Sequence, residues 1–188
     1  MNKHLMHAYT CIGRGWWPIL DKYIPAILEI DPECDFDPKE KYGTLRLQAT
    51  AGIDCEDHAA LYALEEEAEA LSGVTCEYCG KPGRLRTERR DWYLTLCDEC
   101  DKLQDDKEGW RSMYLETQML LGKKYEQAIG SERTEELWEQ WFALEHKSDE
   151  YQLWYNALSL DEQGAVIGWN AEVEDYVRSE MWPLATEV

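Results

Sequence analysis

Apolar residues recur along this chain at two different periods, and the changes between them divide it into three stretches. In residues 1–75 the opening Trp16-Trp17-Pro18 predicts a helix start, because proline suits a first helical turn. Ile19, Tyr23, Ile27 and Ile30 follow at helical spacing, and Pro25 inside that run predicts a short or kinked helix. After the Asp31-Pro32 and Asp37-Pro38 breaks, Leu45, Leu47 and Ala49 alternate with polar neighbours as a half-buried strand does. Asp54 with Asp57 offers a cap for a helix whose apolar face is Leu61, Leu64, Ala68 and Leu71, ended by Gly73.

From residue 101 onward the period is helical. Trp110, Met113, Tyr114, Thr117, Leu121 and Tyr125 mark one helix, and Gly130-Ser131 a stop followed by a new cap. Leu137, Trp141 and Leu144 share a face of the next helix; Tyr151, Trp154, Tyr155 and Leu158 mark a third, after Ser148. Ser159 with Glu162 has the form of a capping box, opening a last helix with Val166, Trp169, Val173, Tyr176 and Val177 inward. The expected fold class is therefore α+β. It comprises a small strand-and-helix part (1–75), a central four-cysteine zinc ribbon (76–100) and an acidic, Trp-rich part (101–188) forming an antiparallel helical bundle. No internal repeat or low-complexity linker separates these parts, so one compact body is expected.

Composition sharpens this picture mainly through charge. The 188 residues hold 39 Asp and Glu against 19 Lys and Arg, a net charge of −20 that opposes phosphate backbones, so free nucleic acid is a poor default partner. The imbalance sits in the flanks: nets of −8 for residues 1–75 and −12 for 101–188 surround a neutral 76–100. Nine Trp and eleven Tyr against two Phe favour half-buried rings with a polar handle, which leans toward partner binding and leaves a homodimer open. No stretch has the 18 or more apolar residues of a membrane helix, and Met1 to Tyr9 has no signal-peptide pattern, so a cytoplasmic protein is expected.

The one specific chemical motif is Cys76-Glu77-Tyr78-Cys79-Gly80, then 16 residues, then Cys97-Asp98-Glu99-Cys100. Two CxxC knuckles across a short hairpin present four thiolates to one Zn²⁺, with Arg84 to Arg86 and Trp92 to Leu96 as flanking strands. Four cysteines close the coordination shell, which makes the metal structural; a catalytic zinc keeps one position open. Asp101 stands where the first knuckle has Gly80, predicting that the second knuckle runs straight into a helix. Cys11, Cys34 and Cys55 are isolated and read as small buried residues; His4 and His7, near the terminus, lack a third ligand.

Two charged constellations allow functional readings beside plain solvation. Glu132, Glu135, Glu136 and Glu139 line one face of a helix opposite Leu137, Trp141 and Leu144; they are either an ordinary wet surface or a ladder imitating phosphates. Further acids cluster at Glu65, Glu66, Glu67 and Glu69, at Asp105, Asp106 and Glu108, and at Glu172, Glu174 and Asp175. Arg84, Arg86, Arg89 and Arg90, with Trp92, either balance the zinc–thiolate charge locally or form a basic patch that reads nucleic acid. No GxSxG, phosphate-binding loop, HExxH or dinucleotide fingerprint is present, so nothing points to an enzyme.

Trp16-Trp17-Pro18-Ile19-Leu20, Glu40-Lys41-Tyr42-Gly43-Thr44-Leu45-Arg46 and the two cysteine pairs resemble a family of uncharacterised bacteriophage and prophage zinc-ribbon proteins. Its members carry a W-[YW]-P turn, an E-K-[FY]-G-x-L-R segment and a C-x-x-C-G knuckle in that order; the resemblance covers about the first hundred residues. It implies a viral origin within a bacterial cytoplasm and a shared zinc module, and it brings no catalytic residues. The leading expectation is a phage accessory protein that binds and inhibits or redirects a host nucleic-acid-processing or defence complex, in the manner of anti-CRISPR or anti-restriction proteins. Its partner would be a protein or ribonucleoprotein with a basic surface, met by the acidic helices. The alternatives are a zinc-ribbon nucleic-acid adaptor in phage transcription or replication and, last, a metal-dependent hydrolase with dispersed carboxylates.

Overall fold

The computed structural model describes residues 3–87, 93–145 and 148–176. Among these the fold is mixed, with eight α-helices and six short strands arranged as three two-stranded antiparallel pairs. The chain divides into two compact units, residues 2–110 and 111–188.

The first unit begins with α1 (Lys3–Cys11), a single 3₁₀ turn (Arg14–Trp16) and α2 (Trp17–Ile30). Pro18 opens α2 as its fixed φ predicts, but Pro25 does not end the helix. An interior proline costs about 3 kcal/mol. Opposing that cost, Trp17, Ile19, Leu20, Tyr23, Ile24 and Ile27 are all buried on α2, largely against α3 (His58–Ser72). The Asp57 carboxylate caps α3 by accepting the Ala60 amide at 3.0 Å, and Leu61 and Ala68 are its inward positions. Leu71, expected on that face, is 39% exposed, while Ser72 takes the buried place. The Ser72 hydroxyl accepts the Leu45 amide at 2.8 Å and donates to the Glu69 carbonyl at 2.7 Å, tying α3 to the strands.

The strands are β1 (Asp35–Phe36), β2 (Lys39–Lys41), β3 (Thr44–Arg46) and β4 (Ala49–Thr50). The alternation of Leu45, Leu47 and Ala49 does not form one strand. Gln48 adopts φ +50°, which ends β3, and Ala49 pairs with Phe36 in β1 instead of continuing beside β2. Leu45 and Leu47 are nonetheless buried, as the alternation requires. Tyr42 and Gly43 connect β2 to β3 with φ +56° and +78°, the two left-handed residues of a tight hairpin. The cysteine hairpin, β5 (Arg84–Arg86) and β6 (Leu94–Leu96), followed by α4 (Asp98–Asp105), completes this unit.

The second unit holds α5 (Lys107–Ile129) from residue 111 onward, α6 (Ser131–Ala143), α7 (Asp149–Ala157) and α8 (Leu160–Tyr176). Gly130, at φ +88°, breaks α5 from α6 as its position suggests, but the expected new cap is Gly130 itself, with no side-chain hydrogen bond, and Ser131 is already the first residue of α6. Ser148 caps α7 through the Tyr151 amide at 3.1 Å. The capping box is present: the Ser159 amide donates to Glu162 at 2.8 Å and the Glu162 amide to the Ser159 hydroxyl at 3.4 Å.

The apolar face of α8 differs from the one its period predicts. Val166 and Trp169 are buried, but Val173 and Tyr176 are exposed, and the face is completed by Gly164, Ala165, Gly168 and Ala171. Small residues decide this packing. A Cβ placed on Gly122 of α5 or on Gly168 would lie 2.6 Å from the other's Cα, so the two backbones nearly touch. On α5, Leu115 is buried in place of Tyr114, which is 41% exposed. Val177 lies outside the described residues.

Candidate metal centre and acidic helix face

The first cysteine knuckle is built by backbone geometry. The Gly80 amide donates to the Cys76 carbonyl at 2.9 Å and the Cys76 amide to the Lys81 carbonyl at 2.8 Å, closing a turn that needs φ +74° at Gly80. The second knuckle runs directly into a helix: Cys97 is the N-cap of α4, its sulfur accepting the Cys100 amide at 3.4 Å. β5 and β6 bring the knuckles together, so that the four sulfurs of Cys76, Cys79, Cys97 and Cys100 lie within 4.8 Å of one another. Cys79 Sγ and Cys97 Sγ are 3.6 Å apart, close to the ~3.8 Å edge of a tetrahedron with ~2.3 Å metal–sulfur bonds. This donor set could hold one metal ion.

The electrostatics of the quartet also suit a cation. Burial pushes the Cys76 and Cys100 thiols up, so they resist ionising without a counter-charge. Burial opposes ionisation of Cys97 too, but hydrogen bonds from the Cys100 amide and the neighbouring thiols outweigh it and hold this thiol below its usual range. A bound cation is what would let all four exist as thiolates. The outer shell is organised as well: Lys81 Nζ meets Glu99 at 2.6 Å, linking the two knuckles. Arg86 is buried, donating to the Leu96 carbonyl at 3.0 and 3.1 Å and pairing with Asp98 at 2.7 Å and Asp101 at 3.2 Å.

The knuckle is held in place by two other segments of the chain. The Gly15 amide donates to the Glu77 carbonyl at 2.8 Å, and Trp16 Nε1 donates to the Thr75 carbonyl at 2.7 Å. A Cβ on Gly13 would lie 2.5 Å from the Glu77 carbonyl oxygen. On the opposite strand, the Thr95 hydroxyl donates to the Gly43 carbonyl at 2.6 Å, and a Cβ on Gly43 would meet Leu85 at 2.4 Å. The Trp-Trp-Pro turn, the Glu-Lys-Tyr-Gly hairpin and the cysteine knuckle, far apart in sequence, thus meet around one centre. Glu77 itself is buried in the knuckle, and burial, with a smaller contribution from the charge of Glu40, pushes its carboxyl up to about 8.

The structure separates the other candidates. Arg84 is exposed on β5, whereas Arg86 faces inward, its guanidinium held by the second knuckle and unavailable to a nucleic acid. Arg89, Arg90 and Trp92 lie outside the described residues. Glu132, Glu135, Glu136 and Glu139 are all exposed on α6, opposite the buried Leu137 and Trp141. Glu136 pairs with Arg133 at 2.8 Å, and Arg133 also reaches Glu162 at 2.6 Å.

Acids in the other clusters serve the fold. Glu65 accepts the Ala49 amide at 2.8 Å, Glu69 pairs with Arg46, and Glu67 accepts the Tyr23 hydroxyl at 3.3 Å. Asp106 accepts the Glu108 and Gly109 amides, both at 3.2 Å, and Glu174 pairs with Arg111 at 2.5 Å.

Among the remaining cysteines Cys34 is buried, as expected, but Cys11 is exposed and Cys55 is intermediate. Cys11 Sγ lies 3.9 Å from His7 Nε2, a pairing that the i, i+4 spacing on one helix signals. His4 Nδ1 lies 3.5 Å from Asp35, a carboxylate the local sequence does not reveal. No described helix is long and apolar enough to cross a membrane. No protein-family model matches this sequence, and neither a curated protein nor a solved structure matches the chain.

Proposed function

We propose that this chain is a non-enzymatic, zinc-stabilised accessory protein of bacteriophage origin. Its acidic helices engage a basic, nucleic-acid-gripping surface of a host complex and so inhibit or redirect it. The observation that carries this reading is the ladder on α6: Glu132, Glu135, Glu136 and Glu139 all face solvent, while the opposite face is buried. Seven rises of ~1.5 Å from Glu132 to Glu139 spread these carboxylates over roughly 10 Å, a run of negative charge that competes for a cationic channel. Arg133 offsets one of them, and residues 111–188 hold 16 acids against six bases, so the field around the ladder stays negative.

In this reading the cysteine quartet binds one Zn²⁺ in a ribbon-like hairpin and acts as a staple. Four thiolates leave no open position for substrate, and the Gly13–Trp16 and Gly43 contacts extend the staple's hold to the rest of the first unit. The helices of the second unit are read as an antiparallel bundle that displays the acidic face. The adaptor alternative is weakened because Arg86 is used internally.

The test is capture of partners from bacterial lysate by the tagged full chain, with and without nuclease and across a salt series. A nuclease-resistant, salt-sensitive host complex that grips DNA or RNA, lost when the four α6 glutamates are changed to lysine, supports the proposal. Partners that vanish with nuclease, or capture that survives the charge reversal, overturn it.

A further inference from the structure

A cleft of about 460 Å³ opens in the second unit where α5, α6 and α8 meet. One wall is aromatic. The Trp138 indole is 41% exposed there and packs edge-on against Trp169, with ring centroids 5.2 Å apart at 88°. Trp141 supports both rings from below, at 5.1 and 5.8 Å. The rim carries Glu126, Glu135, Glu139 and Glu172, contributed by all three helices.

Glu135 and Glu139 belong to the solvated face of α6, whereas Glu126 is pinned inside the cleft. Glu126 accepts the Trp169 indole N–H at 2.5 Å, fixing both the carboxylate and the ring that backs the cleft. Glu172 is held only loosely by Lys123, at 3.8 Å. The groove therefore offers a part-exposed indole beside carboxylates contributed by three helices. That combination favours an organic cation over an apolar ligand, through cation–π attraction and charge complementarity. A bare metal ion is not indicated: among the described residues only the cysteine quartet brings three or more ligand atoms within 4.8 Å. A guanidinium, flat and with donors along three edges, can lie on Trp138 and still reach separated carboxylates; an ammonium concentrates its charge at one point.

We propose that this cleft receives an arginine side chain from a basic protein surface, making it the anchoring point for the partner of the acidic helices. The inference rests on the acidic-surface reading and adds a specific chemistry to it: the ladder supplies attraction at a distance, and the cleft supplies the contact that selects arginine.

The probe is a short arginine-rich peptide, compared with the same peptide carrying citrulline at each arginine. Binding to the zinc-loaded full chain is followed by the indole ¹H–¹⁵N signals. The arginine peptide is expected to move the Trp138 and Trp169 signals, and the citrulline peptide to leave them in place. Glu172→Gln, which keeps the side-chain shape, and Trp138→Leu should each weaken binding by about fivefold to tenfold. Should Trp138→Leu disturb packing, Glu172→Gln decides alone.

Equal binding of the citrulline peptide would overturn the proposal. So would an affinity that Glu172→Gln leaves unchanged while Glu132→Lys with Glu136→Lys, outside the cleft, abolishes it; the acidic-surface reading would survive that result. The broader reading fails separately, if host capture is indifferent to reversal of the α6 charges.

Discussion

Gly15 lies so close to Cys76 that a methyl group on its Cα would sit 2.1 Å from the Cys76 carbonyl oxygen and 2.6 Å from the Gly80 amide. Backbone on both sides leaves nothing that can move aside cheaply. Gly15→Ala is therefore expected to destabilise the first unit by about 1–3 kcal/mol, as overpacking does. It should also weaken metal retention, because the carbonyl that would be displaced belongs to Cys76, one of the quartet. Chelator competition and thermal unfolding of the zinc-loaded chain measure the two effects. An unchanged midpoint in both would mean that the Trp-Trp-Pro turn does not buttress the knuckle.

Removal of the metal is expected to unfold more than the hairpin. Thr75, Glu77 and Thr95, which carry the contacts to Trp16, Gly15 and Gly43, all sit within two residues of a cysteine of the quartet. Purified chain should hold one Zn²⁺, reduced to none by Cys79→Ser or Cys97→Ser and unaffected by Cys11→Ser or Cys55→Ser. Metal analysis and far-ultraviolet circular dichroism before and after chelation provide the check. Retention of metal by Cys97→Ser would show that the quartet is not the site.

Glu77 makes the stability of the first unit depend on pH with a definite sign. Its folded-state carboxyl titrates near 8, above the ordinary value of 4.5, so unfolding releases a proton throughout that interval. Stability from this group is complete below pH 4.5 and is lost as pH rises through 8, a decline of order 5 kcal/mol from end to end. Glu77→Gln removes the ionisation, so its advantage over the native chain should grow steadily between pH 6 and 8.5. That range avoids the acid pH at which protons compete with metal for the thiolates. Parallel denaturation profiles for the two proteins would show that the buried carboxyl is ionised in the folded state.

Gly122 and Gly168 should each reject a side chain. Alanine at either position places a Cβ 2.6 Å from the facing Cα, forcing α5 and α8 apart. A loss of about 1–3 kcal/mol is expected despite the better helix propensity of alanine, and Trp fluorescence should report it because Trp169 lies one residue from Gly168. A stabilising substitution would mean that the two helices do not cross at these glycines.

The elements that local rules govern are legible in the sequence. Asp57, Ser148 and the Ser159–Glu162 pair cap the helices they announce, and Gly130 breaks one, because caps and breaks depend on residues a few positions apart. The cysteine quartet is legible for a similar reason: each CxxC turn fixes its own two sulfurs, and a hairpin is enough to join them.

What tertiary packing decided has no short-range signature. The α2 helix continues through Pro25 because its buried face outweighs a lost hydrogen bond, while the Leu45–Ala49 alternation is divided between two pairings by the backbone turn at Gln48. Val173 and Tyr176 have the right period and are still exposed, since Gly122 and Gly168 set where α8 can approach closely. Arg86 reads as a local counter-charge or part of a basic patch until Asp98, Asp101 and the Leu96 carbonyl surround it and leave it the local role, and Glu77 reads as a solvated acid until Gly13 and Gly15 close over its backbone. Periodicity tells which residues avoid water; only the assembled backbone tells which neighbours exclude it, and therefore which charges stay available to a partner.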